Sequence, residues 1–263
     1  MRLIRNLLIA LLPLCGLEAA AEGDTLSYRL ELSGNASTGD YAPLWFTANR
    51  YGLSSERPQS GYLRAGVQYT TRFGHGWSLQ SGLDLAGAID QTAPFVVQQA
   101  YADLSWKVLT LSVGAKERGA FPLEKDMRLS SGMMVEGVNA RPIPQVRLEM
   151  KQYWDVPLTR GWLGLKGHIG YGVLTDGRWR ENFVKTGQSF SKRAVYHTKS
   201  LMFRVGNEEK FPLTMEIGML ETAQFGGSMW KKQPDGSSIM TANMPNGFKD
   251  FLKAIIPIQE STI

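Results

Sequence analysis

The chain is short of nearly everything that soluble catalysis is usually built from. It has one cysteine, Cys15, and that residue lies in an apolar run near the N-terminus. Past that run there is no disulfide framework and no thiol nucleophile. Its three histidines, His75, His168 and His197, fall in a turn, a strand and a strand start, and no two share metal-ligand spacing. A Gly-x-Ser-x-Gly elbow and a phosphate-cradling glycine loop are both missing. These absences point to a protein that is not an enzyme and has no cofactor or metal; a hydrolase pairing His168 or His197 with a serine is the alternative.

Long hydrophobic runs are equally scarce. Leu7 to Leu14 is the longest and falls well below the roughly 20 residues a membrane-spanning helix needs. Lysines and arginines exceed acidic residues by five but are scattered, with no basic stripe. That pattern excludes a nucleic-acid partner and suits contact with phosphates or acidic sugars.

The N-terminus reads as a secretory signal. Arg2 and Arg5 precede the apolar run, and Ala19-Ala20-Ala21 supplies a small-residue cleavage site. Reading Cys15 as a lipoprotein cysteine conflicts with Leu14, which stands where a small residue is wanted. The expected organisation is a signal peptide over 1–21 and one domain over 22–263.

What fills that domain is alternation with a period of two. Leu26, Tyr28, Leu30 and Leu32 alternate with Ser27, Arg29, Glu31 and Ser33 in the first stretch, Thr25–Ser33. The same pattern predicts strands over Tyr62–Phe73, Trp77–Ile89, Phe95–Trp106, Leu109–Lys116, Gln145–Trp154, Trp162–Val173, Tyr196–Val205 and Leu213–Thr222. Gly74-His75-Gly76 marks a tight hairpin turn. Between the strands, tight turns and long loops take turns, as in outer-membrane barrels with short periplasmic turns and long outer loops. Phe73, Trp77, Trp106, Trp154 and Trp162 flank the short turns, as an interfacial aromatic girdle would. The fold class expected is therefore all-β: an antiparallel transmembrane β-barrel in the outer membrane, with outer-membrane lipid against one face. The alternative is a soluble sandwich, in which aromatics fall mid-strand in a shared core.

Nine strands create a parity problem. If the short turns are periplasmic, the ninth strand ends outside the cell, whereas bacterial barrels have an even strand count and return their C-terminus to the periplasm. Residues 223–263 read as an outer loop with a short helix over Phe248–Ala254, not as a closing strand. The expectation is an incomplete barrel, the N-terminal part of a larger one, whose missing C-terminal half is a candidate partner.

Several linked motifs carry a resemblance. Leu129-Ser-Ser-Gly-Met-Met with Asn139-Ala-Arg-Pro-Ile-Pro-Gln-Val, Tyr41-Ala-Pro-Leu-Trp-Phe-Thr-Ala-Asn-Arg-Tyr-Gly, Gln99-Ala-Tyr-Ala-Asp-Leu, Gly114-Ala-Lys-Glu-Arg and Pro245-Asn-Gly-Phe-Lys-Asp-Phe-Leu together resemble the capsule assembly protein Wzi family of Bacteroidetes. The resemblance implies an eighteen-stranded outer-membrane barrel that holds capsular polysaccharide at the cell surface as a lectin. Nine strands are half of that, so truncation would put activity in doubt. A porin or solute channel is the alternative that the barrel pattern alone supports equally well.

A sugar-binding surface needs flat aromatic faces beside planar polar groups. The long loops offer Trp45, Tyr51, Trp179 and Trp230, and Arg178 and Arg180 flank Trp179. Arg178-Trp179-Arg180 is the arrangement best suited to an acidic polysaccharide. The competing role for all of these aromatics is an outer girdle or loop packing. Arg64, Arg72, Asp84, Arg147, Glu149, Lys151, Glu216 and Arg204 are expected on the polar face, bridging strand to strand or lining a conduction path. The apolar face is expected to reject an arginine at Leu111 and the polar face to tolerate one at Ser112.

Overall fold

The computed structural model describes residues 18–21, 24–119, 135–175, 179–207 and 209–255. One antiparallel sheet dominates. Numbered in chain order, its strands are β1 (Glu18–Ala21), β2 (Asp24–Ala36), β3 (Gln59–Phe73), β4 (Trp77–Ile89), β5 (Phe95–Trp106), β6 (Leu109–Ala115), β7 (Gln145–Asp155), β8 (Leu163–Val173), β10 (Val195–Val205) and β11 (Met215–Phe225). Each pairs with its neighbour in sequence, apart from β9 (Ser189–Lys192), which joins a second sheet. All nine expected strands are present, two of them with the expected bounds, because a period-two pattern holds its register wherever one face differs in polarity from the other.

The two faces are inverted relative to a soluble protein. On one face Arg64, Asp84, Asp103, Ser112, Arg147, Glu149, Lys166, His168 and Ser200 are buried. On the other, Tyr28, Leu30, Leu32, Leu63, Val67, Leu83, Val97, Leu104, Leu111, Val113, Val146, Leu148, Leu201, Phe203, Ile217 and Met219 are exposed. Consecutive residues of β6 show the contrast: Leu111 is 43% exposed and Ser112 0%.

The sheet bends toward its polar face. Neighbouring strands lie roughly 5 Å apart, so side chains two strands away meet only if the wall is concave. They do meet: the Tyr101 hydroxyl on β5 donates to Gln68 on β3 at 3.0 Å, and Arg204 on β10 donates to Asp155 on β7 at 2.9 Å. Glycine makes room for this at two points. The Asp84 carboxylate leans over Gly66 and the Tyr101 ring over Gly82, in space that a Cβ would fill. A bulge opposite Asp84 and Leu85 turns both Gln98 and Gln99 toward the polar side, where each makes hydrogen bonds.

The tight turns gather along one edge. His75 and Gly76 take positive φ in the β3–β4 turn, and Lys107 does so between β5 and β6. Phe73, Trp77 and Trp106 form a row there on the apolar face, with ring centroids 6.5 and 6.1 Å apart. Lys107 reaches over the Trp106 ring at 4.9 Å. Trp154 and Trp162 stand at the same edge, as expected of a girdle.

Among the described residues the sheet is open, with β1 and β11 at its two ends, in line with the expected absence of closure. Several other expectations need correction. The expected signal peptide lies outside the described residues except for Glu18–Ala21, which pair with Asp24–Ser27 as a tenth, four-residue strand. The stretches expected as loops carry further secondary structure within residues 179–194 and 226–255. β9, β12 (Ser228–Lys232) and β13 (Ser238–Asn243) form a separate three-stranded sheet. Two short helices also occur in the loop regions, α1 (Leu44–Thr47) and α2 (Trp179–Phe183). The helix expected after residue 247 is present as α3 (Phe248–Ile255). The alternation of short turns and long loops fails once, at 90–94, where β4 and β5 join briefly on the long-loop side. Among the described residues no helix is long and apolar enough to cross a membrane, which says nothing of strands.

Candidate functional site at the loop end

The polar wall continues upward into interlocked loops. Segments 37–58 and 116–119, with 135–144, close over the wall at the long-loop end of the strands. The Tyr51 amide donates to the Val138 carbonyl at 2.7 Å, and the Tyr51 hydroxyl to the Arg118 carbonyl at 3.0 Å. Gln98 donates to the Tyr51 carbonyl. Leu53 drops between Tyr62, Ala86 and Val96, making a small apolar core on an otherwise polar face. The burial of Tyr51, with the Glu117 charge beside it, raises its phenol above the usual range.

Acidic residues of these loops then answer the basic residues of the wall. Glu117 accepts from Arg64 at 2.9 Å and from Gln98 at 2.8 Å, and Arg64 also pairs with Asp84. Glu136 accepts from Arg147 at 3.0 Å, and Arg147 pairs with Glu149 at 3.0 Å. Lys116 and Lys151 both approach Asp103. The expected strand-to-strand bridging is thus present, with loop carboxylates added to it. Burying charges in this way costs solvation that only pairing recovers, so each carboxylate holds its loop to the wall.

One serine–histidine pair lies in this wall. Ser200 Oγ is 2.8 Å from His168 Nδ1, and His168 Nε2 is 2.9 Å from Thr198 Oγ1 and 3.6 Å from Glu136. The His168 side chain has no exposure and Ser200 is buried, so the pair offers a substrate carbonyl no open approach. Among the described residues no group of three His, Cys, Asp or Glu could hold a metal ion.

Outside the wall, an open cleft of about 630 Å³ lies between α2, the 47–57 segment and the 90–94 turn. Trp179 and Phe183, one helical turn apart on α2, stack with ring centroids 5.0 Å apart at 17°. Each ring covers one face of the other and stays open to solvent on its outer side, at 43% and 68% exposure. Glu56, Arg57, Gln91, Thr92 and Asn182 are among the other residues that line it. Arg57 is paired with Asp90 at 2.7 Å, and Arg141 donates to Thr92 at 2.8 Å, so the polar rim is held in place. Flat aromatic area beside fixed amide, hydroxyl and carboxylate groups is what pyranose rings and their hydroxyls require.

No family model, no curated protein and no solved structure matches the chain.

Of the described residues singled out from the sequence, Trp179 alone lines the cleft. Arg178 lies outside the described residues. Arg180 donates to Ser191 of β9 at 2.7 Å and so faces the small sheet. Trp230 sits in that sheet, its indole N–H donating to Ser228 and its ring 4.4 Å beneath Lys192. Trp45 is exposed on α1 and tilts against Phe46 at 6.2 Å, away from the cleft lining. Tyr51 points down into the interlocked loops. Phe183, Asn182, Gln91 and Thr92 were missed. The Trp179/Phe183 spacing was a signal for the first, since residues four apart on a helix share a face; the others required the tertiary structure.

Proposed function

We propose that this chain is part of an outer-membrane β-barrel that holds a surface polysaccharide, capsular material above all, at the outer face of the cell without altering it chemically. The inverted polarity of the sheet is the observation that carries the reading. A buried face of arginine, aspartate and glutamate behind an exposed face of leucine, valine and phenylalanine is unfavourable in water and fits a lipid-facing wall around a polar interior. The aromatic row along the tight-turn edge fits a headgroup girdle. On this reading the open edges, β11 at one end and β1 with the part of β2 beyond it at the other, pair with further strands, from a longer polypeptide or a second chain, because unpaired backbone groups are not sustained in hydrocarbon. The parent would be of about eighteen strands, as the resemblance to the Wzi family implies.

The loop-end cleft supplies the binding surface, with the Trp179–Phe183 face as its platform. A solute channel is the competing reading. Glu117 and Glu136, folded onto Arg64 and Arg147, occupy the wall that such a channel would need clear, which favours the binding role.

The test replaces Trp179 and Phe183 by alanine in the closed barrel. Surface-retained polysaccharide and single-channel conductance in planar bilayers are then measured. Loss of retention with no conductance before or after is the expected result. Unchanged retention together with steady conductance would overturn the binding role in favour of a channel.

A further inference from the structure

The outer, apolar face of the sheet has one polar interruption. Away from the strand ends, the charged or imidazole side chains on that face are His197, Lys199 and Glu221, on the two adjacent strands β10 and β11. All three lie where α3 crosses the wall. The Tyr171 hydroxyl on β8 donates to the Phe251 carbonyl at 2.7 Å, and the two rings lie 5.1 Å apart. Phe225 on β11 meets Phe251 edge-on, also at 5.1 Å. Lys199 pairs with Glu221 at 3.3 Å and donates to the carbonyls of Ala254 and Ile255, the last turn of the helix. His197 is fully buried beneath Tyr171, its Nδ1 3.0 Å from the Gly170 carbonyl. The lysine, the glutamate and the orphan helix carbonyls thus satisfy one another on an otherwise apolar surface.

The helix itself has three sides. At 100° per residue, Asp250, Phe251 and Ala254 fall together and are the half-buried ones. Phe248, Leu252 and Ile255 fall on a second side and are exposed at 77, 46 and 37%. Lys249 and Lys253 occupy the third side and are also exposed. An amphipathic helix with an apolar edge and a lysine edge, laid on a wall whose neighbouring Leu201, Phe203, Ile217 and Met219 are themselves exposed, continues that apolar surface outward.

We propose that α3 is a lipid-contact helix of the outer leaflet. It is docked on the outside of β8, β10 and β11 near the loop end. Phe248, Leu252 and Ile255 enter the acyl chains, and Lys249 and Lys253 meet phosphate-bearing headgroups. It shields the Lys199–Glu221 pair and His197 from hydrocarbon. This rests on the membrane reading of the sheet.

The experiment uses site-directed nitroxides in outer-membrane vesicles, in a Cys15→Ser background. Labels are placed on Leu252→Cys, on Lys253→Cys and, as a wall reference, on Val113→Cys. Relaxation by oxygen, which partitions into lipid, is compared with relaxation by a water-soluble nickel chelate. Position 252 should follow position 113, with an oxygen-to-nickel ratio several-fold above that at 253. If 113 is in lipid while 252 is as open to nickel as 253, the helix lies in water and the proposal is overturned with the membrane reading intact. Shielding of 252 from both reagents means protein covers it, which overturns the proposal equally. Nickel access at 113 removes the membrane reading, and the proposal with it.

Discussion

An arginine scan up β6 separates lipid from water on the apolar face. Leu109 is paired with Trp106, and Trp106 with Trp77, so this row marks the girdle level. Val113 stands four residues beyond Leu109 on the same face, flanked by Ala102 and Val146 and 48% exposed. At about 3.4 Å per residue and a tilt near 40°, it lies about 10 Å above the girdle. That is close to the middle of an apolar band about 25 Å tall. Val113→Arg should then cost about 2–4 kcal/mol, Leu111→Arg less, and Leu109→Arg about 0–1. The first corresponds to roughly a 30- to 700-fold shift in the folding equilibrium. In water all three are surface changes worth within about 0.5 kcal/mol. Leu220, on the polar face of β11 opposite Ser200, is the control, since an arginine there joins a polar surface. Ser112, the position first expected to tolerate arginine, is unsuitable, because Arg118 already donates to its hydroxyl at 2.8 Å and fills the space. The assay is the urea midpoint of the closed barrel in vesicles, with heat-modifiable gel mobility as the folded fraction. Three equal midpoints along β6, unchanged from the parent, would refute the lipid-facing assignment.

Arg64→Met should destabilise toward the lower end of about 3–5 kcal/mol, because the buried carboxylates of Asp84 and Glu117 lose their close cation and keep only Arg29, 3.8 Å from each; a midpoint within experimental scatter of the parent's would contradict that. Gly82→Val should fail for want of room under the Tyr101 ring, and Gly82→Val with Tyr101→Ala should recover folded yield. Glu181 has its carboxyl lowered chiefly by the hydrogen bond from Lys192. A carboxyl lowered in the folded state stabilises above its unfolded pKa and loses that contribution as pH falls through the folded value. Amide protection across Ser189–Lys192, taken relative to the intrinsic exchange rate at each pH, should therefore fall below the ordinary glutamate range, and Glu181→Gln should abolish that fall.

Strand positions and the polarity of each face were legible in the residues themselves. Alternation assigns every second side chain to one face, so Leu111 and Ser112 were separated before any pairing was known. The aromatic row was legible for the same reason, since Phe73, Trp77 and Trp106 border tight turns. The hairpin of β12 and β13 was not, because short strands with no consistent alternation carry no periodic signal. Only the tertiary structure decided where the loops went. Glu117 and Glu136 are ordinary acidic residues in sequence; they become wall partners because the sheet bends and brings Arg64 and Arg147 beneath them. The same holds for the cleft, whose Gln91 and Thr92 come from a turn nearly ninety residues before Trp179. Lys199 stands on the apolar face of β10, and α3, some fifty residues later, lays its last carbonyls over it. Local pattern determines which way a side chain points, but what it meets there depends on chain segments far away in sequence.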